Sequence, residues 1–420
     1  MEQSTATAES HGSTFAPEDP GGDRWVLNFG PQHPATHTTL RLVLELDGER
    51  VVSCVPHIGY LHSGFEKLGE HLDYNQYVTI TDRMNYISPM ANNIAWHHAC
   101  ELLFGIEITP RCKVIRTIIA ELSRIQDHLL CVGTAALDLG GFSAFLYGFY
   151  EREIIYDLFE EICGARFTTS YTRVGGLMQD MPDEWPGHVK DFLERLPKAM
   201  GDVESLLTRN RIFIERTKGI GYIGRDDAID WGMSGPLARA SGVRRDLRKD
   251  EPYLCYADDW DGKGASGVSF KVPVSSEGDV LSRYLVRLEE MRQSILIIEQ
   301  LIDAVPAGPI NVLPDDKRTL PDKSEVHFSI EGLIHHFEGI MTNRGHRPPV
   351  GEAYGANETA NGELGFHLVS DGGNFPYRVR CRPPSFINYQ CFPQLVVGHQ
   401  ISDVAAILGS LNIIAAELDR

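Results

Sequence analysis

The chain has 420 residues, of which 42% are hydrophobic and 23% are charged, as is typical of a globular protein with a substantial core. Its formal net charge of −19 would repel nucleic acids and anionic lipid surfaces, which argues against a nucleic-acid-binding protein. The eight cysteines form no C-x-x-C pair, so they indicate neither a disulfide framework nor a metal site and fit a reducing compartment.

Residues 1–22 are predicted to form a disordered tail, because they contain almost no large apolar side chains that could offset the entropy lost on ordering. The tail has no basic stretch followed by an apolar one, so it resembles neither a secretory signal nor an organelle transit peptide. We expect a bacterial cytoplasmic location.

A β-hairpin is predicted next, within an N-terminal region of residues 23–60. Leucines alternate from Leu40 to Leu46, and Asp47-Gly48 then turns the chain into a second strand at 51–55. Before the hairpin, residues 30–37 contain two prolines and a glycine, which forbid a regular helix or a central strand. A polar loop should therefore join two strands.

The middle of the chain is predicted to be helical. Apolar residues recur at three- and four-residue steps over 114–129, after Thr109-Pro110, which suits a helix start. Residues 129–150 contain one charge, Asp138, over a length that could span a membrane. Because glycines interrupt this stretch, two buried helices that meet at a glycine turn are the favoured interpretation. Further helical periods cover 143–163, 186–214, 280–304 and 323–340.

The last part of the chain returns to strands. These are predicted at 351–359, 363–370 and 377–382, with a turn at 370–373.

Two histidines of the N-terminal loop, His33 and His37, lie four residues apart. On a helix this spacing would place two imidazoles on one face for a metal, but a loop lacks that geometry and no nearby Cys or carboxylate supplies a third ligand. The histidines could hydrogen-bond their own backbone, or they could bind a polar headgroup and supply protons near neutral pH. The residues alone leave these alternatives open.

Asp138 ends a long helical period and precedes Gly140-Gly141, so its carboxylate should lie near the negative end of the helix dipole. Its apolar neighbours favour burial over an ordinary surface position, and a buried acid needs a partner such as a histidine. Tyr86 taken alone fits an amphipathic core tyrosine. The basic stretch 244–249 fits a solvated or subunit-facing turn.

Several longer runs of residues are specific enough to indicate a family. They are NFGPQHPATH at 28–37, PHIGYLH at 56–62, GFEKL at 64–68, DLRK at 246–249, EEMRQSI at 289–295 and ELDR at 417–420. With these runs, the chain from about residue 24 to its end resembles the D-type subunit family of respiratory complex I, the NADH:quinone oxidoreductases.

This resemblance implies an α+β fold like the [NiFe]-hydrogenase large subunit. The expected parts are an N-terminal β-domain (23–60), a central helical bundle (61–345) and a C-terminal α/β region (346–420) that completes a quinone cavity. In hydrogenases two C-x-x-C motifs hold nickel and iron, whereas the corresponding positions here, 59–62 and 417–420, contain no cysteine. The resemblance thus implies a chain without a metal or redox cofactor of its own.

The resemblance also places quinone between this subunit and a small partner that holds the terminal [4Fe–4S] cluster. Tyr86 and His37 correspond to ligands of the quinone headgroup, and Asp138 corresponds to the acid that pairs with that histidine. Because quinone reduction consumes protons and places negative charge on the carbonyl oxygens, a phenol and an imidazole suit this role. Further positions of the implied cavity are His33, Asn412 and Ile414.

Three positions depart from the family pattern. Ser63 stands where an arginine is frequent, Thr168 where many members have a histidine close to the terminal cluster, and Asn412 where an acid is common. The amide of Asn412 can hydrogen-bond, but it cannot titrate.

The implied function is that of the quinone-site subunit of a proton-pumping NADH:quinone oxidoreductase, active only in the complex and peripheral on the cytoplasmic side of the membrane. Expected partners are the small cluster-bearing B-type subunit, the C-type and I-type subunits and the membrane H-type subunit, with ferredoxin or deazaflavin as alternative electron donors. Other classes are a scaffold without chemistry, which intact Tyr86, His37 and Asp138 argue against, and a hydrogenase, which the absent thiolates argue against.

Overall fold

The computed structural model describes residues 24–36, 39–312, 318–341 and 344–420. The predicted tail and His37 lie outside these described residues.

An antiparallel sheet opens the described chain, with strand order β1 (Arg24–Phe29), β2 (Arg41–Asp47) and β3 (Arg50–His57). Gly48 in the β2–β3 turn has φ of 61°, a conformation that favours glycine. Successive side chains of a strand point to opposite faces of the sheet, and one face of β2 is buried. The buried residues are Leu40, Leu42, Leu44 and Leu46. The predicted hairpin is confirmed, and residues 30–36 of the predicted loop join β1 to β2.

Helices dominate the middle of the chain. They are α1 (Phe65–Leu68), α2 (Val78–Met84), α3 (Pro89–Phe104), α4 (Pro110–Asp138), α5 (Phe142–Cys163), α6 (Trp185–Leu207), α7 (Arg211–Thr217), α8 (Arg225–Asp230), α9 (Gly235–Ala240), α10 (Leu247–Asp250), α11 (Val280–Ile302), α12 (Lys323–Phe328) and α13 (Ile330–Ile340). A short hairpin of β4 (Thr172–Arg173) and β5 (Gly176–Leu177) lies between α5 and α6. Helices α4, α5, α6 and α11 pack together around the largest apolar cluster.

The longest helix, α4, begins at the predicted point, where Thr109 Oγ1 accepts a hydrogen bond from the Cys112 backbone N–H at 3.3 Å. A turn at residues 139–141 separates it from α5, so the prediction of two helices over 129–150 is confirmed. Within the described ranges, no helix has the length and apolar character needed to cross a membrane. Full burial was wrong for α5, whose first half exposes Phe142, Leu146, Tyr147 and Tyr150.

Two of the predicted helical periods are interrupted. The period over 186–214 is divided into α6 and α7, because Asn210 Oδ1 accepts the backbone N–H groups of Ile212 and Phe213 and so starts a new helix. The period over 323–340 is divided at Ser329, whose hydroxyl accepts the Gly332 N–H at 3.1 Å. Apolar periodicity continues through such caps, so it did not predict them.

The last part of the chain contains a second three-stranded antiparallel sheet, β6 (Gly351–Thr359), β7 (Gly362–Ser370) and β8 (Arg378–Arg382). Strand β6 lies close against α3, since a Cβ atom on Gly355 would come within 2.7 Å of the Ala99 Cα. The remaining helices are α14 (Pro384–Tyr389), α15 (Phe392–Val396), α16 (Ile401–Leu411) and α17 (Ala415–Asp419). The architecture is a mixed helix and strand fold, as expected for the α+β class.

The N-terminal sheet and the C-terminal helices share one apolar core. Leu42 and Leu44 of β2 belong to the same buried cluster as Leu408 and Leu411 of α16 and Leu418 of α17. The C-terminal residues are thereby held beside the loop that joins β1 to β2.

A solvated or subunit-facing turn was expected for the basic stretch 244–249, and neither setting fits Arg248. Arg248 is only 1% exposed, and its guanidinium donates to Asp246 at 2.7 Å and to Glu121 of α4 at 3.0 Å. Arg248 and neighbouring arginines lower the pKa of Asp246 and the pKa of Glu121 to about 2, although burial acts in the opposite direction. Arg244, Arg245 and Lys249 of the same stretch are exposed.

Candidate functional site

Tyr86 lies in the turn between α2 and α3. Asn85 fixes this turn, since its Oδ1 accepts the backbone N–H groups of Ile87 at 3.1 Å and Ser88 at 3.3 Å. The Tyr86 side chain is half-buried, and burial raises the pKa of its hydroxyl above the ordinary tyrosine value. At neutral pH the phenol is therefore protonated and can donate a hydrogen bond.

The segment that carries Thr168 lies beside Tyr86. The ring of Phe167 is 6.0 Å from the ring of Tyr86, measured between centroids. The segment is anchored on α3, where Asn93 Nδ2 donates to the Thr169 carbonyl at 2.6 Å, and on α2, where Asp82 accepts from the Ser170 hydroxyl. Tyr86 and Thr168 thus belong to one region of the molecule.

Asp138 is the last residue of α4, as predicted, and it is half-buried there rather than fully buried. Its position near the carboxyl end of a 29-residue helix exposes its charge to the negative end of the helix dipole. Because His37 lies outside the described residues, the pairing of Asp138 with His37 remains a prediction.

His33, the other loop histidine, hydrogen-bonds its own loop. Its Nδ1 accepts the Ala35 backbone N–H at 3.1 Å, and its carbonyl accepts the Thr36 hydroxyl at 2.8 Å. Its ring centroid lies 4.2 Å from that of Phe29. The exposed imidazole of His33 therefore hydrogen-bonds the backbone of its own loop, which is one of the alternatives that the sequence left open.

The segments 59–62 and 417–420 come together, although they are far apart in the sequence. The Asp419 carboxylate accepts the Gly59 N–H at 2.8 Å and the Leu61 N–H at 2.7 Å. His62 Nδ1 lies 2.9 Å from the Asp419 carbonyl. Together with Lys67, Arg378 and Arg420 these segments line an open cleft of about 410 Å³.

Ser63 is exposed beside this cleft, and its hydroxyl donates to the Leu61 carbonyl at 3.3 Å. Within the described ranges, the structure brings no group of three or more His, Cys, Asp or Glu side chains together in a way that could hold a metal.

Asn412 and Ile414 lie in the connection between α16 and α17, and both are buried. Asn412 ends α16 with φ of 54° and ψ of 56°, a left-handed conformation that asparagine tolerates better than most residues. Its amide nitrogen donates to Asp127 of α4 and to Asn361 in the β6–β7 turn, at 2.5 Å in each case. The Asn412 side chain therefore points into the interior of the subunit.

The elements that carry the predicted site residues are neighbours. Helix α16 packs against both α4, which ends at Asp138, and the helical turn Pro34–Thr36 in the loop that continues to His37. Helix α17 packs against α2, which ends two residues before Tyr86. The α16–α17 segment thus lies between the elements that bear the predicted headgroup ligands and the predicted acid.

Sequence reasoning missed three polar residues behind this segment, Asp127, Asn361 and Glu417, all of which are buried. A signal existed for Asp127, because Glu121, Arg124 and His128 also lie on the otherwise apolar α4 at helical spacing. Burial raises the pKa of Glu417 to about 8, with contributions from the Asp127 charge. Asn361 and Glu417, in contrast, have no distinctive spacing that marks them in the sequence.

Comparisons with known proteins agree on one family. Residues 138–420 match the family model of the respiratory-chain NADH dehydrogenase 49 kDa subunit. The chain is 49% identical over 401 residues to the D-type subunit of the NADH-quinone oxidoreductase of Methylacidiphilum infernorum, covering 96% of this chain and 93% of that protein. It is 48% identical to the D-type subunit of Akkermansia muciniphila, covering 96% and 94%. A combined C/D-type subunit of Bdellovibrio bacteriovorus is 48% identical, with 96% of this chain and 70% of that longer protein covered.

Proposed function

Because the chain belongs to the family of the D-type subunit of NADH-quinone oxidoreductase, the 49 kDa subunit of respiratory complex I, we propose that it forms the quinone-reducing site of that oxidoreductase complex. The observation that carries the proposal is the packing of the α16–α17 segment against α2, α4 and the N-terminal loop. This packing gathers Tyr86, Asp138 and the loop of His37 around one part of the subunit.

In this proposal Tyr86 and His37 bind the quinone headgroup and Asp138 supports the imidazolium of His37. Reduction adds two electrons and two protons to the quinone and gives a quinol, so hydrogen-bond donors at the carbonyl oxygens stabilise the developing negative charge. The raised pKa of Tyr86 keeps its donor hydrogen in place at neutral pH. The electrons come from the [4Fe–4S] cluster of the small partner subunit.

We propose that the cleft between 59–62 and 417–420 corresponds to the position that the metal centre occupies in hydrogenases. The hydrogen bonds from Gly59 and Leu61 to Asp419 support this assignment, since they join the two segments that correspond to the C-x-x-C motifs. A hydrogenase-like division into regions 23–60, 61–345 and 346–420 belongs to the same proposal, as do Asn412 and Ile414 as residues near the cavity.

We further propose that the complex pumps protons and takes electrons from NADH, and that this subunit is peripheral on the cytoplasmic side of the membrane. The names of the relatives support NADH as donor over ferredoxin or a deazaflavin. The C/D-type relative supports a C-type neighbour, because there the two units share one chain. B-type, I-type and membrane H-type subunits are the other proposed partners.

A photoreactive quinone analogue tests the binding site in the purified complex. We expect it to label this subunit on peptides that contain Tyr86 or residues 412–414, and excess unlabelled quinone should suppress the labelling. Labelling confined to other subunits, or to peptides of this chain far from the α16–α17 segment, would overturn the proposal. Peptides of α6 serve as the internal control, since that helix lies apart from the site.

A further inference from the structure

A chain of buried polar side chains runs beneath the α16–α17 segment. It begins at Asp127 of α4, whose Oδ2 accepts the Ser88 hydroxyl at 3.0 Å and whose Oδ1 accepts the Asn412 amide at 2.5 Å. The same Asn412 nitrogen donates to Asn361 Oδ1 at 2.5 Å. The Asn361 side chain in turn lies close to Glu417 of α17.

Glu417 ends the chain at its other side. The Ser385 hydroxyl of α14 donates to Glu417 Oε2, but among the residues that the structure describes the buried Glu417 Oε1 has no hydrogen-bond partner. The Asn361 Nδ2 atom is likewise buried and unpartnered. Two carboxyl groups, each 0% exposed, thus lie on either side of two buried amides, and one oxygen of Glu417 accepts no hydrogen bond from the described residues.

The charges around this cluster do not neutralise two carboxylates directly. Within the described ranges, no Lys, Arg or His side chain forms an ion pair with Asp127 or Glu417. Titratable or charged groups that interact with Asp127 are His128 and Cys131 of α4 and Arg152 of α5, and Cys381 of β8 interacts with Glu417. Burial of an ionised carboxylate without a paired cation is strongly unfavourable, and binding of a proton relieves it.

We propose that Asp127 and Glu417 belong to one buried proton-binding site, in which a hydrogen ion is held on the Glu417 carboxyl group. The two acids differ in how many hydrogen bonds their oxygens accept. Each oxygen of Asp127 accepts a hydrogen bond, whereas one oxygen of Glu417 accepts none from the described residues. Binding and release are simple protonation of a carboxylate, with no electron transferred, so the inference does not depend on the quinone assignment.

The neutral amide of Asn412 suits this arrangement. An acid at position 412, as is common in the family pattern, would place a third carboxyl group within hydrogen-bond distance of Asp127 and would require a further proton. With asparagine at position 412, the amide N–H donates the hydrogen bond to Asp127 that a protonated acid would otherwise have to donate. The departure at 412 is thereby explained by its neighbour on α4.

Infrared titration of the purified complex tests the inference without quinone. A protonated carboxyl group has a carbonyl band that an ionised one lacks and that shifts in heavy water. We expect this band in the wild-type complex at neutral pH, its loss as the pH is raised through about 8, and its absence in Glu417→Gln. Asp403→Asn removes another buried acid, one that has Arg216 at 3.4 Å, and it should leave the band at wild-type intensity. Equal band intensity in wild type and Glu417→Gln would overturn the proposal.

Two further measurements keep the inference testable if Glu417→Gln assembles poorly. Ser385→Ala leaves Glu417 in place and removes a donor that favours its charged form, so the band should persist to higher pH. Where Glu417→Gln does assemble, its thermal midpoint should exceed that of wild type by a margin that widens from pH 5 to pH 8. The reason is that a raised pKa in the folded state costs stability as pH rises above the unfolded value, and glutamine does not titrate. A margin that stays constant with pH, or a band unaffected by Ser385→Ala, would contradict the site.

Discussion

Thr168 has an unusual backbone conformation for its residue type. Its φ of 54° lies in the left-handed region, where a β-branched side chain is strained. Neighbouring side chains hold the backbone that follows it, through Asn93 on Thr169 and Asp82 on Ser170. The sequence indicated that 168 departs from the family pattern, but the strain follows from contacts with α2 and α3 that local sequence does not reveal.

Replacing Thr168 with histidine should raise the reduction potential of the partner's terminal cluster and make it depend on pH. A unit charge on the order of 10 Å away, at an effective dielectric of about 20, contributes roughly 1.7 kcal/mol, which is about 70 mV for one electron. Redox titration by electron paramagnetic resonance at several pH values measures this. If the wild-type potential already falls steeply as pH rises through neutrality, another group supplies the titrating charge and the assignment is wrong.

Asp138 and His37 are predicted to act as a pair. Asp138→Asn should weaken the imidazolium of His37 and slow proton delivery to reduced quinone, while the complex still assembles. The measurement is a double-mutant cycle on quinone reductase activity with Asp138→Asn, His37→Ala and both changes. If the two residues are coupled, the double mutant should lose less quinone reductase activity, on a free-energy scale, than the two single mutants lose in sum. Additive losses would show that the residues act independently.

Several elements are joined by one buried network of ion pairs. Arg239 of α9 donates from Nε to Glu290 of α11 at 2.8 Å and from Nη1 to Glu358 of β6 at 2.7 Å. His128 of α4 lies 2.8 Å from the same Glu290. These contacts link residues that are between 51 and 162 positions apart, so they fix the bundle against the second sheet.

Arg239→Met should destabilise the protein by roughly 3–5 kcal/mol, because it leaves buried carboxylates without their cation. The thermal midpoint of the complex and the amount of this chain retained on native gels measure the effect. Arg244→Met provides the matched control, since Arg244 is exposed in the segment that follows α9. Equal midpoints for the two variants would show that the network contributes little to stability.

Elements with strong local patterns were predictable from the sequence. The alternating leucines before Asp47-Gly48 predicted the first hairpin, and Thr109-Pro110 predicted the start of α4. The caps at Asn210 and Ser329 were missed because a single side chain can divide an apolar period without changing it. The exposed face of α5 was missed because apolar composition does not distinguish a core from an interface.

At the scale of the whole molecule, the candidate site is assembled from parts that are distant in the sequence. Asp419 binds Gly59 across 360 positions, and Asn412 binds Asp127 across 285. The family resemblance matched 59–62 and 417–420 to the two C-x-x-C motifs of hydrogenases, whereas composition and periodicity gave no relation between these segments. The buried role of Arg248 was missed for the same reason, since its partner Glu121 is 127 residues away.

The central claim is that this chain provides the quinone-reducing site, and Tyr86→Phe tests it most directly. The change removes one hydrogen-bond donor and keeps the ring beside Phe167. Tyr222→Phe is the control, since Tyr222 is 61% exposed and lies outside the proposed site. In assembled complex we predict that Tyr86→Phe lowers the rate of quinone reduction roughly 100-fold and leaves NADH oxidation by artificial acceptors near the wild-type rate. Both rates should stay near wild type in Tyr222→Phe. Quinone reduction at the wild-type rate in assembled Tyr86→Phe complex would contradict the account.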